Sequence, residues 1–271
     1  MAFRIGFAVE DAAFSGSGEI QPVPKAEAVA RRSVVQVHFP ARHMTLAYYN
    51  DRFDLHCGDT VYVDGKLEGL PGRVVEVSYN FRIKLSDYKR VIAVADSDVK
   101  GEFFIAGSHF ISFDPHALPR RKAATWFIPP AGEDDEYVSS RDDSAFPLDS
   151  LKDMDISMAA AERGYEYYNA NKVRYLCLDG SCGYAIVEGS KNYELEFELR
   201  DGMISGLSCG CYCSGNCKHG FAAMLQLKET LEFIHRHYPE KFMGEKYFAA
   251  IDRELLLRFA VENRESGKIT I

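Results

Sequence analysis

The 271-residue chain contains no apolar run approaching the roughly 20 residues that a membrane-spanning helix needs, so no membrane partner is expected. Its first ten residues have no apolar stretch of secretory length and end on Glu10, with Asp11 next. The expected setting is therefore the cytoplasm, where thiols stay reduced and clustered cysteines bind metal more often than they pair as disulfides. There is no Gly-rich phosphate loop, no Gly-x-Ser-x-Gly elbow and no His-Glu-x-x-His pair. No catalytic residue and no small-molecule substrate are inferred, and a non-catalytic binding protein is expected. No internal repeat is present.

A strong positive excess is also missing. The net charge is −8, and nine acids against two bases fall within residues 131–155 alone. Residues 1–130 stand at +1 and residues 156–271 at −2. The regions flanking the acidic stretch thus lack the broad basic footprint of many nucleic-acid-binding domains, and any such contact must be local.

What is present is a globular composition, 46% hydrophobic and 27% charged. Three parts are expected: a β-rich, barrel-like domain over 1–114, a linker over 115–155, and an α+β domain over 156–271 that ends in two helices. In the first part, residues 34–39 alternate as a strand does, and further strands are expected over 45–49, 60–63, 72–77, 91–95 and 103–113. Asp64-Gly65 marks a turn. Residues 1–33 are poorly placed, with a short helix expected over 26–32. The pattern Gly58-Asp59-x-Val61-x-Val63 with Gly72-Arg73-Val74-Val75 resembles small SH3-like barrels. In the linker, Pro115, Pro119, Pro129 and Pro130 break regular structure, and Glu133, Asp134, Asp135 and Glu136 form a charge run.

The third part opens with a helix over 158–168, in which Tyr165 and Tyr168 are expected to pack in the core. Strands follow over 173–178, 184–187, 193–199 and 203–208, with turns at Asp179-Gly180, Gly189-Ser190 and Asp201-Gly202. A helix is expected over 220–238, with Phe221, Met224, Leu225, Leu231 and Ile234 on one face. A last helix is expected over 245–263, from Tyr247, Ile251, Leu255 and Phe259 at four-residue spacing.

Between the last of these strands and the helix at 220 runs Cys-Gly-Cys-Tyr-Cys-Ser-Gly-Asn-Cys-Lys-His, residues 209–219. Thiolates and imidazole are the ligands of tetrahedral zinc. Cys209 and Cys211 sit at a strand end, Cys217 and His219 at a helix start, and Ser214-Gly215-Asn216 can turn between them. The two pairs can therefore meet on one Zn²⁺. Asn216 is the expected helix cap. A thiolate at Cys217 would lie near the positive end of the helix, which favours its ionised form. Cys213 is a spare ligand. The alternative set, Cys211, Cys213, Cys217 and His219, leaves only three residues between its pairs, and the first set is preferred. Cys57, Cys177 and Cys182 read as ordinary core or turn residues, and His235 and His237 as surface or core histidines.

Cys-x-Cys and Cys-x-His on a strand, turn and helix resemble the SWIM zinc finger. The resemblance covers about residues 156–235 and includes the Arg163-Gly164-Tyr165-Glu166-Tyr167-Tyr168 helix and the strands after it. It places the ligands at Cys209, Cys211, Cys217 and His219. The five-residue gap between the pairs is at the short end of that pattern. The resemblance implies a structural zinc and a nucleic-acid or protein partner. Lys218, Lys228 and Arg236 are the candidate contacts to DNA or RNA. The second expectation is a protein-interaction adaptor, for instance for a DNA-handling ATPase.

Overall fold

The computed structural model describes residues 2–5, 31–97, 99–130, 140–141, 144–213, 215–260 and 269–270. The helix expected over 26–32 lies outside these but for Arg31 and Arg32, as does the acidic run Glu133, Asp134, Asp135 and Glu136. Among the described residues the protein is α+β, with two antiparallel sheets and five α-helices.

The smaller sheet has five strands: β2 (Ser33–Phe39), β3 (Met44–Asn50), β4 (Thr60–Val63), β5 (Gly72–Ser78) and β6 (Val91–Val94). Their order is β3-β2-β5-β4-β6. β2 shows why the pattern is legible: its residues are alternately buried and half-buried along the whole strand. The inward set Val35, Val37 and Phe39 meets Val61, Val63, Val74 and Val91 in a separate core. Gly72 is required where Phe39 and Val37 cross β5, since an added Cβ would lie 2.4 Å from Val37 Cγ1. A bridge between Tyr49 and Arg90 brings the two edge strands together, so the sheet curls.

The larger sheet has eleven strands, one of them off the main path. These are β1 (Ala2–Ile5), β7 (Gly101–Ala106), β8 (His109–Ser112), β9 (Ser140–Arg141), β10 (Phe146–Pro147), β11 (Val173–Asp179), β12 (Cys182–Glu188), β13 (Asn192–Arg200), β14 (Met203–Cys209), β15 (Tyr247–Asp252) and β16 (Ile269–Thr270). The order is β10-β14-β13-β12-β11-β15-β8-β7-β1-β16, with β9 also on β14. The expected unit 1–114 thus divides between the two sheets. β7 and β8 form a hairpin that pairs with β15, from Ser112 opposite Ala249 to His109 opposite Asp252.

Helices cover both faces of this sheet. α2 (Met158–Asn169), α3 (Lys218–His237) and α4 (Pro239–Glu245) lie on one face, over Leu176, Leu178, Ala185, Val187, Phe248 and Ala250. α1 (Arg120–Phe127) and α5 (Arg253–Ala260) lie on the other, over Tyr175, Tyr184, Ile186, Ala249 and Ile251. There Trp126 stacks on Phe259 at 4.7 Å. α1 falls inside the expected linker. Pro119 does not break it, because it precedes the first turn, where a missing N–H leaves no bond unmade.

The helix expected over 245–263 is the largest departure. Tyr247–Asp252 is a strand buried along its whole length, and helix follows it over Arg253–Ala260. A spacing of four is a multiple of the strand period as well as close to the helical one. Tyr247, Ile251, Leu255 and Phe259 therefore all face one core, as their spacing implies, but through a strand and then a helix. A strand buried on both faces also shows no polar alternation to betray it.

α2 begins at Ser157, whose hydroxyl accepts from the Ala160 N–H at 3.3 Å, and ends as Asn171 turns left-handed at φ 52°. Tyr168 packs against the core, whereas Tyr165 is half exposed and sets its edge on Phe221 at 5.1 Å. α2 crosses α3 at Gly164, where an added Cβ would lie 2.8 Å from the Phe221 ring and 3.1 Å from the Lys218 carbonyl. Gly164→Ala is expected to destabilise the protein by about 1–3 kcal/mol in chemical denaturation, because overpacking outweighs the gain in helix propensity. A more stable variant would contradict this crossing.

Candidate metal centre

Cys209 is the last residue of β14. Its register is held from both sides, by Leu195 on β13 and Ser140 on β9. The next N–H, of Gly210, donates to the Glu194 carbonyl at 2.9 Å. Cys211 then turns back over the core, and the chain re-enters regular structure at α3. The cap of α3 is Cys217, not the expected Asn216: its sulfur accepts from the Gly220 N–H at 3.5 Å. Asn216 instead donates to the Asp155 carbonyl at 3.1 Å, which ties the loop to the start of the α2 segment.

The side chains of Cys209, Cys211, Cys217 and His219 converge, with ligand atoms all within 4.8 Å of one another, and all four residues are buried. His219 Nδ1 lies 3.9 Å from Cys209 Sγ and 3.8 Å from Cys217 Sγ. A tetrahedron with bonds of about 2.3 Å to sulfur and 2.0 Å to nitrogen has ligand–ligand edges of about 3.5–3.8 Å. The cluster can hold a metal ion with little movement. Cys213, the spare, is exposed and stands outside the converging set. Cys213→Ala is therefore expected to leave metal content at the wild-type value in elemental analysis, and a loss of metal would overturn the ligand set.

The thiols also act on one another. The Cys217 thiol is pushed down to about 3, first by hydrogen bonding from Cys209, then from Cys211, with help from the Gly220 N–H. Cys211 is lowered, chiefly by Cys209, and Cys209 is raised by the same contacts and by burial. Thiolate character thus gathers at Cys217 and Cys211, and thiolate is the form that binds metal.

His219 presents Nδ1 to the cluster and turns Nε2 away. Tyr193 stacks on its ring at 4.4 Å and 28°, and Tyr167 meets it edge-on at 5.4 Å. Gly189, in the turn between β12 and β13, makes room for this packing. An added Cβ there would lie 2.8 Å from the Tyr193 ring and 3.0 Å from His219 Nε2. Nε2 has no hydrogen-bond partner among the described residues. Ring packing, not a second hydrogen bond, holds the imidazole in place.

Two lysines stand on this aromatic clamp. Lys218 Nζ lies 4.6 Å from the Tyr167 ring centre, and Lys191 Nζ lies 5.8 Å from both Tyr193 and Tyr212. The three basic residues singled out in the sequence do not converge. On α3, Lys228 lies about 15 Å and Arg236 about 27 Å along the axis from Lys218. Lys228 is engaged by the Asp149 carbonyl at 3.0 Å. Arg236 is exposed in the last helical turn, as are His235 and His237 beside it. Cys57 and Cys182 are exposed and Cys177 is buried, all apart from the cluster. Lys191, Tyr193 and Tyr212 carried no local signal, since a turn lysine and two strand or loop tyrosines acquire meaning only once β13 is placed beside the ligand loop.

Fold and site together define an α+β protein of two antiparallel sheets with a buried Cys₃His cluster able to hold a metal ion. Comparison with known proteins finds no matching family model, no matching curated protein and no matching solved structure.

Proposed function

We infer that the chain is a non-catalytic, zinc-binding protein whose C-terminal part is a SWIM-type module for nucleic acid. Three sulfurs and one imidazole nitrogen suit Zn²⁺. With four protein ligands the coordination shell is complete, so the metal's role is structural: it joins the end of β14 to the start of α3. One observation carries the nucleic-acid reading. Lys218 and Lys191 stand over tyrosine rings on either side of the ligand histidine, so positive charge and aromatic surface coincide at the metal site. This local patch supports the reading although residues 156–271 are close to neutral.

Filter binding of single- and double-stranded nucleic acid at two salt concentrations tests it. Binding at low salt that falls steeply as salt rises is expected, because phosphate contacts release counterions. No binding at low salt would sink the reading.

A second reading, a protein-interaction adaptor, is favoured by an open cleft of about 470 Å³ on the far part of the larger sheet. Phe104 and Phe113 line it together with Glu102, Asp114, Glu240 and Glu245. Lys241 already sits there, 3.1 Å from Glu102 and 5.0 Å from the Phe104 ring centre. Such a cleft suits a basic segment of a partner, a DNA-handling ATPase being one candidate. Pull-down with the purified chain, repeated with a Phe104→Ala variant, separates this reading from the first.

A further inference from the structure

The loop that joins the two ligand pairs exposes an aromatic side chain that the core does not use. Tyr212 directly follows the ligand Cys211, and 78% of its surface is exposed. Its neighbours on either side of the loop, Cys211 and Cys217, are buried. The ring is therefore anchored directly by the buried Cys211, which limits the freedom lost when something stacks on it.

Lys191 reaches toward Tyr212 from the turn between β12 and β13, with its ammonium 5.8 Å from the ring centre. Lys218 supplies a second ammonium at the start of α3. Both rest against tyrosine rings, and among the described residues neither forms an ion pair.

We propose that this surface binds single-stranded nucleic acid, with Tyr212 stacking on a base and Lys191 and Lys218 meeting the phosphates on either side. The proposal rests on the nucleic-acid reading above and states which form of nucleic acid the module takes. Two features favour a single strand over a duplex. The first turns of the helix after the ligands cannot enter a groove, because every residue from His219 to Met224 is buried. Groove readout needs an exposed helix or ribbon that reaches base edges. A lone exposed ring with the Lys191 ammonium 5.8 Å away, and a second ammonium at Lys218 over Tyr167, is instead the arrangement that holds unstacked bases, since each base of a single strand can offer its face.

Fluorescence anisotropy with the zinc-loaded 271-residue chain tests this, using labelled oligo-deoxythymidine and a duplex of equal length. Tighter binding of the single strand is expected. Tyr212→Ala should weaken it roughly tenfold with zinc content and melting temperature unchanged, and Tyr212→Phe should restore it. Lys191→Gln with Lys218→Gln should make the salt dependence shallower by about 1.4 in log–log slope, at roughly 0.7 per lost phosphate contact. Single-strand binding unaltered by Tyr212→Ala would overturn the proposal and leave the nucleic-acid reading standing, as would preference for the duplex. Failure of the wild type to bind either form would remove both.

Discussion

Cys217→Ala is expected to reduce metal content from one ion per chain to none and to lower the melting temperature by on the order of 10 °C or more. Cys217 has three roles at once. It belongs to the cluster that can hold a metal ion, it caps α3 through its sulfur, and it is part of the main core. Structural zinc contributes on the order of 10 kcal/mol in finger peptides, whereas a helix cap contributes about 1 kcal/mol. The loss of metal should therefore dominate. Cys217→Ser separates the two terms, since serine caps well but is a poor zinc ligand. It should lose the metal as the alanine variant does and keep slightly more stability. His219→Ala should also lose the metal, and in addition it opens a gap between Tyr167 and Tyr193. Zinc analysis and thermal unfolding on the same preparations give the answer. Full metal occupancy in the Cys217→Ala protein would mean that the ion sits elsewhere.

The second large effect is expected at the end of β15. Asp252→Ala should destabilise the protein by about 3–5 kcal/mol in chemical denaturation. Asp252 is the last residue of β15 and is 1% exposed. One carboxylate oxygen accepts from the Leu255 N–H at 2.9 Å and so starts α5. The other accepts from Arg174 at 3.1 Å and from Asn171. Arg174 continues to Glu188 at 2.7 Å, and Lys172 pairs with the same carboxylate. Truncation therefore removes a helix cap and leaves a partly buried guanidinium with one counter-ion in place of two. Asp252→Asn keeps a capping oxygen and should cost about half as much. An alanine variant within 0.5 kcal/mol of wild type would show that this network contributes little.

His109 lies next to that network and makes stability depend on pH. Its Nε2 is 2.8 Å from the Val173 carbonyl, and burial lowers its pKa despite nearby Asp252 and Glu229. Below the ordinary histidine value of about 6.5 the unfolded chain takes up a proton that the folded chain resists. The contribution of His109 is thus fully present above that pH and is lost as pH falls toward the lowered folded value. His109→Gln should make the unfolding free energy flatter between pH 7 and 5.

How far the fold is legible depends on how each residue is covered. β2 is covered on one side only, so Val35, Val37 and Phe39 alternate with half-buried residues and the strand is plain. β15 is covered on both sides, so Tyr-Phe-Ala-Ala-Ile-Asp offers no alternation, and its spacing of four suits two periods at once. The hairpin of β7 and β8 was expected as strand, but its partner was not. Ser112 pairs with Ala249 across 136 intervening positions, and nothing local to either residue announces the other.

The metal site divides in the same way. The residue types and spacing over 209–219 determine by themselves that a strand end and a helix start can bring thiols and an imidazole together, because ligands a few residues apart are constrained by short-range geometry. Which cysteine stays out is decided by tertiary structure: the core buries Cys209, Cys211 and Cys217 and leaves Cys213 in solvent. Tertiary structure also decides what surrounds the site. Tyr167 comes from α2, Tyr193 from β13 and Lys191 from the turn before it, and only the packing of α2 on α3 beside the sheet sets them around His219. Local spacing specifies ligands because the chain cannot stretch far between them. Neighbours from distant segments are specified only by burial of the whole core, a sum over many contacts that no short stretch contains.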